Sequence, residues 1–469
     1  MKPDWHEMTA LALGAEIAAA RIDPVALAEY FLDRIAAADP RHEVFLRVTR
    51  ARALAEAGAA RARARDGLLR GPLDGVPISW KDLFDSAGVA TTAATPLLAD
   101  RVPERDATVL ARATRAGLVC LGKTNLTEFA FSGLAINPHT GTPPNPFDAR
   151  VARVPGGSSS GAAVSVARGL AAAAIGTDTG GSVRIPAGWN GLVGLKTTHG
   201  ALPLDGVLPL APGLDSVGPL ARDVADAAAL FAAMAGTRAP DLAGARLARG
   251  RLLVPDNMAT RDAEPGVARA IARALDVLAR AGATIEHMEM PEFDEVGALA
   301  ARHGSLGAAE AYGYWRDLIE ARPYLIYHNV LKRFRQGKEI SAVDVERLRR
   351  GLGEIAGRLH ARLAGADAIV MATTIIAPPP IADLVADDEA YNRANLSALR
   401  NTSFANLLDL CAITLPCGGD DGLPVGLMLM ARPGREAALL RLARAAEEAL
   451  AEIPKPAPRR CHEGAVGQG

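Results

Sequence analysis

A chain of 469 residues, 49% of them hydrophobic, can bury a continuous core as one large α/β domain or as two or three domains of average size. Its formal net charge of −1, with no block of like charge, gives a nucleic-acid partner no electrostatic footing. No uninterrupted apolar stretch approaches the roughly 20 residues that cross a bilayer, and the start, MKPDWHEMTA, lacks the basic segment and apolar run of a secretory signal, so a cytoplasmic setting is expected.

Taken in chain order, the first 70 residues read as helices. Ala, Leu and Ile recur at helical spacing, and Asp23-Pro24 has the form of an N-cap followed by a proline in the first turn. From Gly71 the texture changes to short apolar runs, GVPISW and AGLVCLG, alternating with glycine-rich turns and Ala-rich helical segments, which is the α/β pattern. Residues 156–200 are dense in Gly, Ser and Thr yet flank the core-building run AAVSVARGLAAAAIG, so they read as ordered loops. Residues 220–236, 265–282 and most of 295–365 are helical by period, 368–375 and 411–416 are strand-like, and the stretch beginning ARPGREAALL is an amphipathic helix. The simplest partition is a single domain over 1–455: N-terminal helices 1–70, a core 71–235, a helical elaboration at about 290–365, and a disordered tail 456–469. Cys120, Cys411, Cys417 and Cys461 are scattered, and Cys411 and Cys417 have no histidine at ligand spacing, so buried thiols are expected.

Two pattern matches fail on physical grounds. Residues 117–124, GLVCLGKT, fit the letters of a phosphate-binding loop. Its intervening Leu-Val-Cys-Leu has the look of a buried strand, not of a loop with exposed N–H groups. Residues 157–161, GSSSG, fit a nucleophile elbow centred on Ser159. An elbow needs a buried strand running into it, and the preceding DARVARVP carries two arginines and ends in proline.

The informative stretch is PGGSSSGAAVSVARGLAAAAIGTDTGGSVRIPAGWNGLVG, residues 155–194, with GPLDGVPISWKDLFDSAGVATTAATP upstream. Together with GKTNLTEFAFSG, LDSVGPLARDVADAA and LPCGGDDGLPVGLMLMA, this ordered set resembles the amidase signature family over nearly the whole chain. The resemblance implies an α/β fold, a mixed sheet covered by helices. It implies a triad of Lys81, Ser158 preceded by a cis peptide, and the nucleophile Ser182, with an oxyanion hole of backbone N–H groups from Thr179, Gly180, Gly181 and Ser182. It also implies a Ser182 acyl-enzyme formed without cofactor or metal. The residue types suit that chemistry: a serine hydroxyl needs an adjacent base, and a buried lysine becomes one because desolvation disfavours its charged form. Only seven of the 52 basic residues are lysines, so a lysine in an apolar, glycine-bordered stretch is not casual surface decoration. Asp178 and Arg184 are expected to brace the nucleophile loop, Ser159 and Ser160 to be hydrogen-bonders of their own loop, and His139 and His199 to have structural or surface roles, having no identifiable acid partner.

Residues 128–139 align with the family segment that walls the acyl pocket, which makes Phe131 and Ser132 candidates for substrate binding. Four of the six tyrosines and one tryptophan fall between Tyr312 and Tyr327, and this cluster, Tyr312 and Trp315 included, is either an apolar wall over the site or helix packing. Both readings predict a small, neutral, partly apolar amide, carbamate or urea-like substrate; a homodimer is compatible with the sequence. The alternative within the family is the glutaminase subunit of a tRNA-dependent amidotransferase. Against it, the Y-L-x-D-type run typical of those subunits is missing before LPCGG.

Overall fold

The computed structural model describes residues 4–248, 250–258 and 260–458; of the tail expected to be disordered, residues 459–469 lie outside them, as does Cys461. In chain order the elements are α1 (Ala10–Ala18), α2 (Pro24–Ala38), β1 (Phe45–Val48), α3 (Arg50–Arg65), β2 (Pro77–Lys81), α4 (Thr108–Arg115), β3 (Val119–Thr124), α5 (Ser160–Ala167), β4 (Ala173–Asp178), α6 (Arg184–Trp189), β5 (Val193–Lys196), β6 (Ser216–Ala221) and α7 (Val224–Ala235). There follow β7 (Arg251–Pro255), α8 (Pro265–Arg280), β8 (Thr284–Met288), α9 (Pro291–His303), α10 (Leu306–Ala321), α11 (His328–Lys338), α12 (Ala342–Arg362), β9 (Ala368–Ala372), α13 (Ile381–Ala386), α14 (Asp388–Leu407), β10 (Cys411–Asp420), β11 (Leu423–Ala431) and α15 (Glu436–Leu450).

All eleven strands join one mixed sheet in the order β1-β3-β2-β4-β6-β5-β10-β11-β9-β7-β8. The strands β3, β2 and β4 run parallel, as do β9, β7 and β8, and antiparallel strands connect the two groups. Helices cover the sheet, so its central strands are buried on both faces and read as unbroken apolar runs such as LPVGLMLMA. The expected single α/β domain with a mixed sheet is what the chain forms. None of the helices is long and apolar enough to cross a membrane, among the described residues.

Local signals account for much of this. Asp23 caps α2 with its carboxylate, accepting from the N–H groups of Val25 and Ala26 at 2.8 and 3.0 Å, ahead of Pro24 in the first turn. The GLVCLGKT segment is the buried strand β3 with its preceding turn, and Ser159 sits at the start of α5 with no strand leading into it. Cys120, Cys411 and Cys417 are buried thiols. One expectation needs correction: residues 1–70 are not all helical, because Phe45–Val48 pairs antiparallel with β3 as the edge strand β1. Four residues flanked by helices on both sides are too few to register as a period-2 pattern.

The centre of the sheet is packed tightly enough to exclude a methyl group. A Cβ built on Gly218, in β6, would lie 1.8 Å from the Leu195 carbonyl oxygen of β5. Backbone in two paired strands has nowhere to go, so Gly218→Ala is expected to destabilise the fold by at least about 2 kcal/mol. Thermal and urea unfolding of the variant check this; a melting temperature within about a degree of the parent would show that the strands can part.

Candidate active site

Two parallel neighbours, β2 and β4, end side by side, and the candidate residues sit at those carboxyl ends, where α/β sheets present their sites. Lys81 is the last residue of β2 and is fully buried. Its Nζ donates to Ser158 Oγ at 2.7 Å and to Thr177 Oγ1, on β4, at 2.8 Å. The Gly157–Ser158 peptide is cis. The glycine is required there: a Cβ would meet Thr127 Oγ1 at 2.6 Å and the Ser132 carbonyl oxygen at 2.8 Å. Ser182 follows β4 by four residues and is buried, and its carbonyl accepts from the Ser159 N–H at 3.2 Å, which ties the Ser182 loop to the serine-rich loop. Ser182 Oγ makes no hydrogen bond among the described residues, so the expected contact with Ser158 is a juxtaposition of loops here.

Burial pushes the Lys81 amine down from its ordinary value to about 7, against the opposing pull of Asp215 and Asp178. Those carboxylates are occupied elsewhere. Asp178 receives the Arg184 guanidinium through Nε at 3.0 Å and Nη2 at 2.8 Å, and also the backbone N–H groups of Gly181 and Val183. Burial works to raise its pKa, but Arg184 outweighs burial and holds the carboxyl down to about 2. Asp215 accepts from Thr179 Oγ1 at 2.5 Å and from the Leu210 N–H at 2.9 Å, and burial pushes it up to about 6.

The Asp178–Arg184 pair therefore braces the loop as expected, with one consequence for the oxyanion hole. The Gly181 N–H points at Asp178 Oδ1, 2.8 Å away, and is spent there. Of the four expected donors, the N–H groups of Thr179, Gly180 and Ser182 have no acceptor among the described residues. Ser159 Oγ donates to the Thr177 carbonyl on β4 and Ser160 Oγ to the Asn125 carbonyl just after β3, so both tie the serine-rich loop to the sheet. His139 does have an acid near it, Glu128 at 3.6 Å, contrary to the expectation of none; the carboxyl is buried and pushed up to about 7 by that burial. His199 Nδ1 lies 3.0 Å from the Asp215 carbonyl oxygen.

Phe131 and Ser132 lie beside the cis peptide. Ser132 Oγ donates to Asn395 Oδ1 at 3.0 Å, and Asn395 also receives the Gly133 N–H, so α14 sets this segment. Trp315 is one layer further out. It is buried against Phe129 at 5.0 Å between ring centroids, in a cluster with Phe131, Phe334 and Leu83, and its Nε1 donates to the Pro209 carbonyl at 2.9 Å. Tyr312 is half-buried on the same cluster, with α11 alongside, while Tyr314 and Tyr324 are exposed.

Two participants escaped the sequence reading. Thr177 is the second hydroxyl on Lys81, and only the β2–β4 pairing reveals it. The other is Arg333 on α11, whose guanidinium lies over the Phe131 ring at 4.6 Å from its centroid. The signal for it was present: Val330, Phe334 and Gly337 form the buried face of α11, and a residue three after Val330 belongs to that face.

A family model described as Amidase matches residues 26–440. Among similar curated proteins, the 2-amino-5-chloromuconic acid deaminase of Comamonas testosteroni is 37% identical over 89% of this chain and 91% of its own length. A glutamyl-tRNA(Gln) amidotransferase subunit of Anaeromyxobacter dehalogenans (strain 2CP-C) is 35% identical over 94% of this chain and 96% of its own. A crystal structure of an amidase superposes with a TM-score of 0.85 at 30% identity, over 95% of this chain and all of the other.

The position of Trp315 gives a prediction. Trp315→Ala is expected to cost about 3–5 kcal/mol of stability, as for large-to-small changes in a core. Denaturant unfolding measures it, and a stable variant with an altered substrate range would instead place the indole in the substrate's path.

Proposed function

We propose that this chain, which belongs to the amidase family, is a stand-alone amidohydrolase that opens a small amide through a Ser182 acyl-enzyme, with Ser158 and Lys81 carrying the proton. Action on carbon–nitrogen bonds is common to the family; the residue roles and the stand-alone state are our reading. The observation that carries it is Lys81, fully buried, pushed down to about 7 and, among the described residues, bonded only to two hydroxyls.

A neutral amine on the Ser158 line can accept the hydrogen that Ser158 carries. Ser182 Oγ attacks the amide carbon, its proton passes to Ser158, and the Ser158 proton passes to Lys81. The N–H groups of Gly180 and Ser182, with that of Thr179, are the donors left to meet the oxyanion; one such donor is worth about 3–4 kcal/mol in the transition state. Collapse of the tetrahedral species breaks the C–N bond, and the departing nitrogen takes the proton back along the same line. Water then attacks the ester, its proton follows the relay, and Ser182 leaves with the acid as product. In this reading residues 128–139 wall the acyl side, with Phe131 and Ser132 as the candidates for substrate contact; the packing of the Ser132 carbonyl on Gly157 supports it.

A second reading is favoured by the 35% identity to an amidotransferase subunit. There the chain would release ammonia from glutamine for a partner; glutamine turnover with and without added amidotransferase partner subunits separates the two.

Two outcomes follow. A fluorophosphonate is expected to leave one adduct, on Ser182, located by mass spectrometry and lost in Ser182→Ala. An adduct on Ser159 would move the nucleophile.

Because the base is a lysine with a lowered pKa, its active form is the neutral one, and kcat/KM for an amide is expected to rise with pH through about 7 and then level off. Guanidinium stays charged at any usable pH, so Lys81→Arg is expected to lose roughly 10²–10⁴-fold in amide turnover, as Lys81→Ala does. Near-normal turnover by Lys81→Arg, or a profile flat from pH 5 to 9, would remove Lys81 from the relay.

A further inference from the structure

We propose that Asp215 is a positioning residue of this reaction: its ionised carboxylate holds the Thr179 hydroxyl, and with it the oxyanion loop, and presents the negative charge against which the buried Lys81 takes up its proton. The inference deepens the amidase reading above and rests on it.

Asp215 directly precedes β6, whose register against β4 sets Ser216 opposite Asp178 and Val217 opposite Thr177. Continued by one residue, that register brings Asp215 to Thr179, and their side chains meet: Oδ1 accepts from Thr179 Oγ1 at 2.5 Å. The other oxygen, Oδ2, accepts the Leu210 and Ala211 N–H groups at 2.9 and 3.2 Å. One buried carboxylate therefore joins the loop that carries Ser182 to the 209–215 turn. Helix α10 supports that turn at two points. Trp315 Nε1 donates to the Pro209 carbonyl at 2.9 Å, and the Gly213 N–H donates to Glu310 Oε2 at 2.8 Å. Through the Thr179 hydroxyl this support reaches the oxyanion donors, because the Thr179 and Gly180 N–H groups are two of the three left without an acceptor among the described residues.

The charge matters as much as the contact. Among the described residues Asp215 makes no ion pair with Lys81, whose Nζ is held by Ser158 and Thr177, yet its charge raises the basicity of that amine against burial. When Ser182 attacks, Lys81 becomes an enclosed ammonium. A fixed anion nearby stabilises that state more than the free enzyme, where the amine is neutral. A protonated Asp215 offers no charge, and its bond to Thr179 becomes a neutral one of roughly half the strength. The other charged groups around it are engaged elsewhere. Asp178 is taken by Arg184, Glu310 is paired with Arg349 at 3.0 Å, and His199 meets Asp215 at the backbone carbonyl, 3.0 Å from Nδ1.

The test is kcat/KM for an amide between about pH 5 and 9, with circular dichroism confirming the fold at each pH. Burial pushes Asp215 up to about 6, with the Thr179 hydroxyl opposing, and pushes Lys81 down to about 7. Both groups work without their proton, so log kcat/KM is expected to climb with a slope of about two below about pH 6, about one up to about 7, and then to level off. Asp215→Asn keeps the size and an acceptor for Thr179 but carries no charge. It is expected to lose on the order of 10²-fold in kcat with KM within about threefold of the parent. Its limb is expected to have a slope of about one and to move to lower pH, because the Lys81 ammonium has lost the anion that favoured it. Thr179→Val keeps the carboxylate and removes the hydroxyl that restrains its pKa, so the steep part is expected to reach higher pH, and Thr179→Ser to restore the parent profile.

A parent profile with one ionisation overturns the assignment. So does a limb that Asp215→Asn leaves in place while the plateau falls, which is the mark of a purely structural side chain. Where Asp215→Asn fails to fold, its amide NH₂ having to face the Leu210 and Ala211 N–H groups, the Thr179→Val and Thr179→Ser pair decides, and a steep part unmoved in Thr179→Val overturns it. The Lys81→Arg loss and the Ser182 adduct do not depend on Asp215. Both present, with a single ionisation throughout, remove this inference alone; their absence removes the relay and this inference with it.

Discussion

The site depends on keeping one lysine away from an anion. Lys81 is enclosed at the end of β2, and in that setting an amine is neutral near pH 7 only if no carboxylate claims it. Two carboxylates are close enough to pull on it, and both are saturated. Asp178 is filled by Arg184 and by the backbone N–H groups of its own loop, and Asp215 by Thr179 and the 210–211 backbone. What remains for Lys81 is a pair of hydroxyls. The Asp178–Arg184 pair thus does two things with one contact, shaping the loop that carries Ser182 and occupying the carboxylate so that it makes no ion pair with Lys81.

The scarcity of lysine pointed in the right direction and pointed too widely. Lys81, Lys123 and Lys196 are all buried, and the sequence does not rank them. Their partners do. Lys123 is paired with Asp82 at 2.9 Å, and Lys196 caps the carbonyls of Thr197 and Leu410 at 2.7 and 2.9 Å. Lys123 is tied to a carboxylate and Lys196 to backbone carbonyls that carry no hydrogen, whereas both groups on Lys81 are hydroxyls, through which a proton can be handed on. The parallel β2–β4 pairing creates that environment, and pairing is a property of the folded chain.

The same distinction separates what the sequence disclosed from what it did not. The capped helix α2, the strongly periodic helix α8 and the long apolar strands were legible because their signals are local. The serine-rich and glycine-rich loops were legible because their order along the chain resembles a family pattern. The strand β1 is four residues long and was absorbed into its helical surroundings. The direction of the Gly181 N–H was hidden because Asp178, three residues earlier, turns back to take it. Glu128 beside His139 was hidden because the ten intervening residues fold back and bring them to 3.6 Å.

Helix α14 shows how the layers combine. Its sequence, DEAYNRANLSALRNTSFANL, has no strong amphipathic stripe, since the face turned inward carries Tyr, Asn and Thr among its apolar residues. Such a helix is poorly marked by hydrophobic period. Its inward polar side chains are nevertheless spent in order along the axis, Thr402 Oγ1 on the Gly180 carbonyl and Asn395 on Ser132 and Gly133, so one helix fixes both the loop that carries Ser182 and the segment that packs on the cis peptide.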